Sequence, residues 1–155
     1  MILERIFISP ERGLAQSECE RITVQSGMGI EGDRNFGKRN HPGQNIALVE
    51  AEEIELFCAE HSRPHDLSIT RRNLVTRGVR LNDLVNVEFV IGTVRLRGIE
   101  LCEPCILLGN NLSSESLASA NVIKHWLHRG GLLADVLSSG EIVCGDRIEL
   151  RNNSV

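Results

Sequence analysis

Only two stretches of this 155-residue chain repeat their apolar residues at helical spacing, and that limits what it can fold into. Ile54, Phe57 and Cys58 recur at i, i+3 and i+4 behind the acidic run Glu50-Ala51-Glu52-Glu53, which predicts an amphipathic helix over 51–60. Leu117, Ala120, Ile123, Lys124 and Leu127 predict a second helix over 117–128, stopped by Gly130-Gly131. The remaining apolar residues fall in short runs. Segments 1–9 (stopped by Pro10), 21–24, 45–49, 73–76, 87–91 and the alternating run from Thr93 read as strands, and Leu81 to Leu84 as one helical turn. Segments 132–137 and 141–150 read as a final hairpin turning at Ser138-Ser139-Gly140. Segments 11–20 and 110–116 read as polar loops, and 152–155 as a frayed tail. About seven or eight short strands that do not alternate with helices argue against a doubly wound parallel sheet. The expected fold class is β-rich mixed α/β: a small, twisted, largely antiparallel β-barrel with two packed helices, in one domain over 1–155.

Composition removes several function classes. Four Phe, one Trp and no Tyr leave an aliphatic core and no base-stacking platform. A net charge of −4 argues against general nucleic-acid binding, whose footprint is basic. No apolar run approaches the ~20 residues of a membrane span. The N-terminal run carries Glu4 and no small-residue cleavage site, so it reads as a first strand and not a signal peptide. Five irregularly spaced cysteines suit free thiols in a reducing cytoplasm. Cys19, Cys58 and Cys144 read as small buried hydrophobes.

The run from Ser26 to Gln44 holds five glycines and Pro42, too many turn-formers for helix or strand. Its glycines let backbone N–H groups face an anion. Asp33, between Gly32 and Arg34, reads as a residue that caps those N–H groups and organises the loop. Farther on, Arg71 and Asn73 alternate onto one side of an extended segment, where a guanidinium fork and an amide suit an anion. Arg77 and Arg80 read as a solvated face.

The centre of the chain is Thr93 to Gly109, an alternating strand that ends in Cys102-Glu103-Pro104-Cys105 and an apolar turn. Four readings of the two thiols stand. Zinc would need two more ligands, and only His125 and His128 offer them. A thioredoxin-like dithiol wants a strand–CxxC–helix unit, and Gly109-Asn110-Asn111 reads as cutting any following helix short. Two unreactive residues at a turn is the third reading. The fourth is a thiolate serving as metal ligand or sulfur carrier, its pKa lowered by neighbouring arginines.

Five segments in order closely resemble the MOSC domain, the C-terminal domain of molybdenum-cofactor sulfurases, found also in small stand-alone bacterial proteins. They are Gly29 to Arg34, Gln44 to Glu50, Arg71 to Val75, Leu101 to Cys105 and Gly145-Asp146, and the likeness spans about Ile2 to Leu150. The resemblance implies a β-rich barrel. It implies that Cys105 is the residue that carries sulfur or ligates molybdenum, with Cys102 its less constant neighbour. By the same likeness Arg71 and Asn73, with Gly32, Asp33 and Arg34, would help hold the pterin of a molybdenum cofactor. Asn35 stands where many members have His. The reductase and sulfurase members carry a further N-terminal barrel that helps enclose the cofactor. This chain is expected to lack it, so that a homodimer or a separate protein would complete the pocket. Implied partners are the cofactor or a sulfur donor such as a cysteine desulfurase, and implied chemistry includes sulfur transfer or reduction of N-hydroxylated substrates. Pyridoxal phosphate is associated with the family only through a fused desulfurase. The chain leaves little room for such a domain, and its two lysines, Lys38 and Lys124, suggest no Schiff base. A metal-free thiol transferase or oxidoreductase, and a non-catalytic cofactor-delivery module, stand as alternatives.

Overall fold

The computed structural model describes residues 1–151, so the frayed tail expected at 152–155 lies outside the described residues. In chain order the elements are β1 (Ile2–Ile8), β2 (Ser17–Cys19), β3 (Arg21–Gln25), β4 (Gly29–Ile30), β5 (Ile46–Glu50), α1 (Ala51–Glu60) and β6 (Leu74–Arg77). A 3-10 turn (Leu81–Leu84), β7 (Glu88–Ile91), β8 (Val94–Leu101), α2 (Ile106–Leu112), α3 (Ser119–Trp126), β9 (Leu132–Val136), β10 (Gly140–Val143) and β11 (Ile148–Leu150) follow.

Eight strands form one curled, half-barrel sheet in the order β11-β7-β8-β9-β5-β6-β1-β2. The pairing β5–β6 is parallel, because α1 carries the chain back between them. The other neighbours are antiparallel. The curl brings the two sides together: Ile2 bridges Arg147, the Ile148 N–H donates to the Met1 carbonyl at 3.0 Å, and the Leu3 N–H donates to Asp146 at 2.9 Å. A small second sheet, β10-β3-β4, completes the β structure.

Strand alternation sorts the interior into two cores. Ile6, Leu48 and Leu74 point into the curl, where they meet Leu96, Leu132 and Val136. Their chain neighbours Phe7, Val49 and Val75 point the other way, against α1, α2 and α3. There α1 buries Ala51, Ile54, Phe57 and Cys58, the stripe its spacing predicts, and α3 buries Val122 and a fully covered Trp126. Removing Trp126 to Ala would cost about 3–5 kcal/mol. Among the described residues no helix is long and apolar enough to cross a membrane.

Several expectations are corrected. The polar stretch 11–20 contains β2, held on β1 by the pair Ile6–Cys19. The final hairpin does not form: β9 pairs with β8 and β5, β10 with β3, and β11 with β7. The stretch 110–116 is not all loop, since α2 runs to Leu112. Cys58 is buried as expected, but Cys19 and Cys144 are only half-buried, with the Cys144 thiol 3.5 Å from the Cys19 carbonyl.

Candidate functional site

β8 ends where the Cys102 N–H donates to the Gly131 carbonyl at 2.8 Å. Glu103 and Pro104 follow as an irregular connection, and Cys105 sits extended (φ −117°, ψ 173°) just before α2. Its carbonyl accepts the Gly109 N–H at 3.0 Å. The helix forms despite Gly109-Asn110-Asn111 because Leu108 and Leu112, four residues apart, both bury. Gly109 is a close contact and not a stop: a Cβ there would come 2.5 Å from Ser119 Oγ on α3. A strand–CxxC–helix unit is therefore present after all.

The two thiols differ. Cys105 is exposed and Cys102 half-buried, and both are free. Burial pushes the Cys102 thiol up, opposed by the positive charge of Arg72. Arg72 is fixed there by donating to the Gly130 carbonyl from Nε at 3.1 Å and to Thr70 from Nη1 at 3.0 Å. Glu103 accepts the His128 backbone N–H at 3.2 Å and lies 3.1 Å from its Nδ1. The backbone of Gly130 packs directly on the Cys102 carbonyl, leaving no room for a Cβ. The segment 128–131 thus splints the Cys-Glu-Pro-Cys connection.

The sequence alone does not assign Arg72, Glu103, His128 or Gly130 to this role. The signals were an acid inside the Cys pair and a Gly-Gly after a helix, both short of predicting contact. His125 and His128 also part company. His128 faces Glu103, while His125 Nδ1 lies 3.4 Å from Glu60 Oε2 on α1, so the two do not close a zinc site around the cysteines.

Asp33, Arg71 and Asn73 are engaged elsewhere. Asn73 is 5% exposed, and its Oδ1 accepts the Ala47 N–H at 3.1 Å while its Nδ2 donates to Phe7 at 3.2 Å. Asp33, 7% exposed, accepts the N–H groups of Ser9 at 3.1 Å and Asn35 at 3.2 Å. It therefore organises its loop, as its position between Gly32 and Arg34 suggests. Arg71 precedes β6 in the left-handed region (φ 59°), so strand alternation does not carry through 71–73. Its Nη2 donates to the Leu14 carbonyl at 2.5 Å. The loop N–H groups of Glu31, Asp33, Arg34, Asn35, Phe36, Gly37 and Lys38 all have acceptors within the protein. Gly32, exposed at φ 83°, sits at the turn between them.

A cavity of about 620 Å3 is lined by Glu4, Arg5, Glu18, Cys19, Glu20 and Cys144. Another of about 360 Å3 lies beside Gln16, His65 and Ser68. Neither Cys102 nor Cys105 lines either one.

The MOSC domain family matches residues 33–149, and the chain belongs to that family. Among solved structures, the YuaD protein from Bacillus subtilis superposes with a TM-score of 0.82 at 20% identity, covering 96% of this chain and 94% of that one. YiiM from Escherichia coli superposes with a TM-score of 0.68 at 16% identity, covering 99% and 71%. YiiM from Geobacillus stearothermophilus gives 0.68 at 18%, covering 99% and 74%. At such identities the likeness speaks for the fold alone. No curated protein matches the chain.

Proposed function

We propose that this MOSC domain carries sulfur on Cys105, accepting it from a persulfide donor and passing it to a metal–sulfur centre such as the molybdenum cofactor. The observation that carries this reading is the pair of thiols on one splinted segment, one exposed and one half-buried with its pKa raised. In the loading step the Cys105 thiolate attacks the outer sulfur of a donor persulfide. A Cys105–sulfur bond forms, the donor's sulfur–sulfur bond breaks, and the donor leaves as a thiolate. A cysteine desulfurase is the partner whose chemistry supplies such a persulfide. The half-buried Cys102, held protonated by its surroundings, is a poor nucleophile toward the loaded sulfur, which helps the persulfide survive.

The molybdenum cofactor fits these residues in part. A soft thiolate at Cys105 is the right donor class for a metal–sulfur centre. The phosphate end fits less well, because Asp33, Arg71, Asn73 and the glycine-loop amides already hold internal partners. Transient sulfur carriage therefore suits the chain better than a resident cofactor. Five free thiols also suit a reducing compartment such as the cytoplasm.

A second reading draws on the strand–CxxC–helix unit: Cys102 and Cys105 as a redox dithiol. One experiment separates the two. Reduced wild type, Cys102→Ala and Cys105→Ala are exposed to a desulfurase with cysteine, and each cysteine-containing peptide is weighed by mass spectrometry. Carriage predicts one added sulfur on Cys105 in wild type and Cys102→Ala, and none in Cys105→Ala. Undiminished loading of Cys105→Ala overturns it. A wild-type Cys102–Cys105 disulfide with no retained sulfur supports the dithiol.

A further inference from the structure

The seam between α1 and α3 holds a second chemical cluster, independent of Cys105. Glu60 ends α1, His61 caps it, and His125 is the penultimate residue of α3. One ligand atom from each lies within 4.8 Å of the others. We propose that Glu60, His61 and His125 bind a divalent transition-metal ion of the zinc class.

Three observations carry this. First, two imidazoles and a carboxylate form a ligand set that zinc uses where it keeps an open position for water. Tetrahedral ligands about 2.0–2.1 Å from zinc sit roughly 3.4 Å from one another. Closing from 4.8 Å asks only for rotation of Glu60, which is exposed, and His61, which is half-buried. Second, the His125 side chain is only 10% exposed, yet its hydrogen bonding is incomplete. Nε2 is buried with no partner, and Nδ1 stands 3.4 Å from Glu60, beyond the ordinary range. A buried polar atom left open is uncommon and points to a missing ion or water. Third, the ring is held in place, edge-on to Phe57 at 5.0 Å and to Trp126 at 5.4 Å, so it presents fixed donors.

A simple Glu60–His125 ion pair explains the cluster less well. It leaves Nε2 without a partner, and its 3.4 Å separation is longer than the roughly 2.7–2.9 Å of a charge-assisted N–H···O bond. A bound ion would rivet α3 to α1 and stabilise the face on which α2 packs.

The test titrates chelator-treated protein with Co2+ as an optical probe for zinc, then displaces it with Zn2+. Four proteins are compared: wild type, His61→Ala, Glu60→Gln and Cys102→Ser/Cys105→Ser. The expected spectrum shows d–d bands without thiolate charge transfer, in wild type and the double cysteine variant alike. Each of the His61 and Glu60 variants should lose more than the roughly tenfold affinity that even an outer-shell change costs. Both positions lie outside the core, so folded variants are expected, and circular dichroism checks this. Wild type that binds neither ion, or a thiolate band that disappears with the cysteines, overturns the site. Undiminished affinity in both His61→Ala and Glu60→Gln does the same. None of these outcomes depends on whether Cys105 carries sulfur.

Discussion

Asn73 and Asp33 meet at 3.5 Å in the interior, Nδ2 to Oδ1. Through that pair, two segments far apart in sequence become one joint. Asn73 ties β1 and β5 together at the start of β6, and Asp33 ties the glycine-rich loop to Ser9. Asn73→Ala would leave the Ala47 N–H and the Phe7 carbonyl without this partner. The expected loss is about 2–6 kcal/mol, since each of the two buried groups left open costs about 1–3. Urea unfolding measures it. Cys105 alkylation should be unchanged in the folded variant, and a large change there would move Asn73 into the thiol site.

How far the sequence could be read is clear from such residues. Ile54, Phe57 and Cys58 announce α1 because a buried helical stripe is a local pattern. The alternation after Thr93 announces β8 for the same reason. α2 is hidden because Gly109 and two asparagines are poor helix formers, and what outweighs them is the burial of Leu108 and Leu112 in the core beneath the helices. The last strands do not join as their local pattern predicts, because pairing is not local: Ile142 faces Ile22, while Ile148 faces Ile91. At the site, Cys105 stood out as part of a motif. Arg72 did not, because the left-handed turn at Arg71 breaks the alternation that seemed to assign sides.

Gly130 should tolerate no side chain. A Cβ would overlap the Cys102 carbonyl, and backbone is on both sides of the clash. Gly130→Ala is expected to cost about 1–3 kcal/mol, as overpacking does. It should also loosen the Cys-Glu-Pro-Cys connection, so Cys102 would alkylate faster than in wild type. A thermal melt and a labelling time course measure both effects. Unchanged stability would mean that segment 128–131 does not splint the Cys-Glu-Pro-Cys connection.

The thiols should separate by pH. Exposed Cys105 is expected to react first with iodoacetamide at neutral pH. Cys102 has a pKa raised by burial, so its reaction should be slow there and accelerate as pH rises toward that higher value. Arg72 stabilises the thiolate, so Arg72→Met should push the Cys102 profile to still higher pH. Peptide mapping of labelled protein across a pH series reads both. Equal rates for the two cysteines at neutral pH would contradict the difference in burial.

Arg77 joins Glu4 on β1 to Glu55 on α1, with Nε 2.7 Å from Glu4 and Nη2 bonded to Glu55. That hydrogen bond holds the Glu55 carboxyl below its usual range, despite some opposing desolvation. The sign follows from linkage. An unfolded Glu55 titrates near 4.3, so at lower pH the unfolded chain takes up a proton that the folded chain resists. The stabilisation is therefore complete above about pH 4.3 and is lost as pH falls through the depressed folded value. The groups are about a third exposed, so screening keeps the effect below about 1 kcal/mol at ordinary salt. Arg77→Met should flatten this part of the stability curve as pH falls below about 4.3, the unfolded carboxylate value. Added salt should shrink the difference between the two proteins, because the carboxylates and the guanidinium remain within reach of counterions. Parallel curves for wild type and Arg77→Met, at low and high salt alike, would show that the bridge between β1 and α1 contributes no pH-dependent stability.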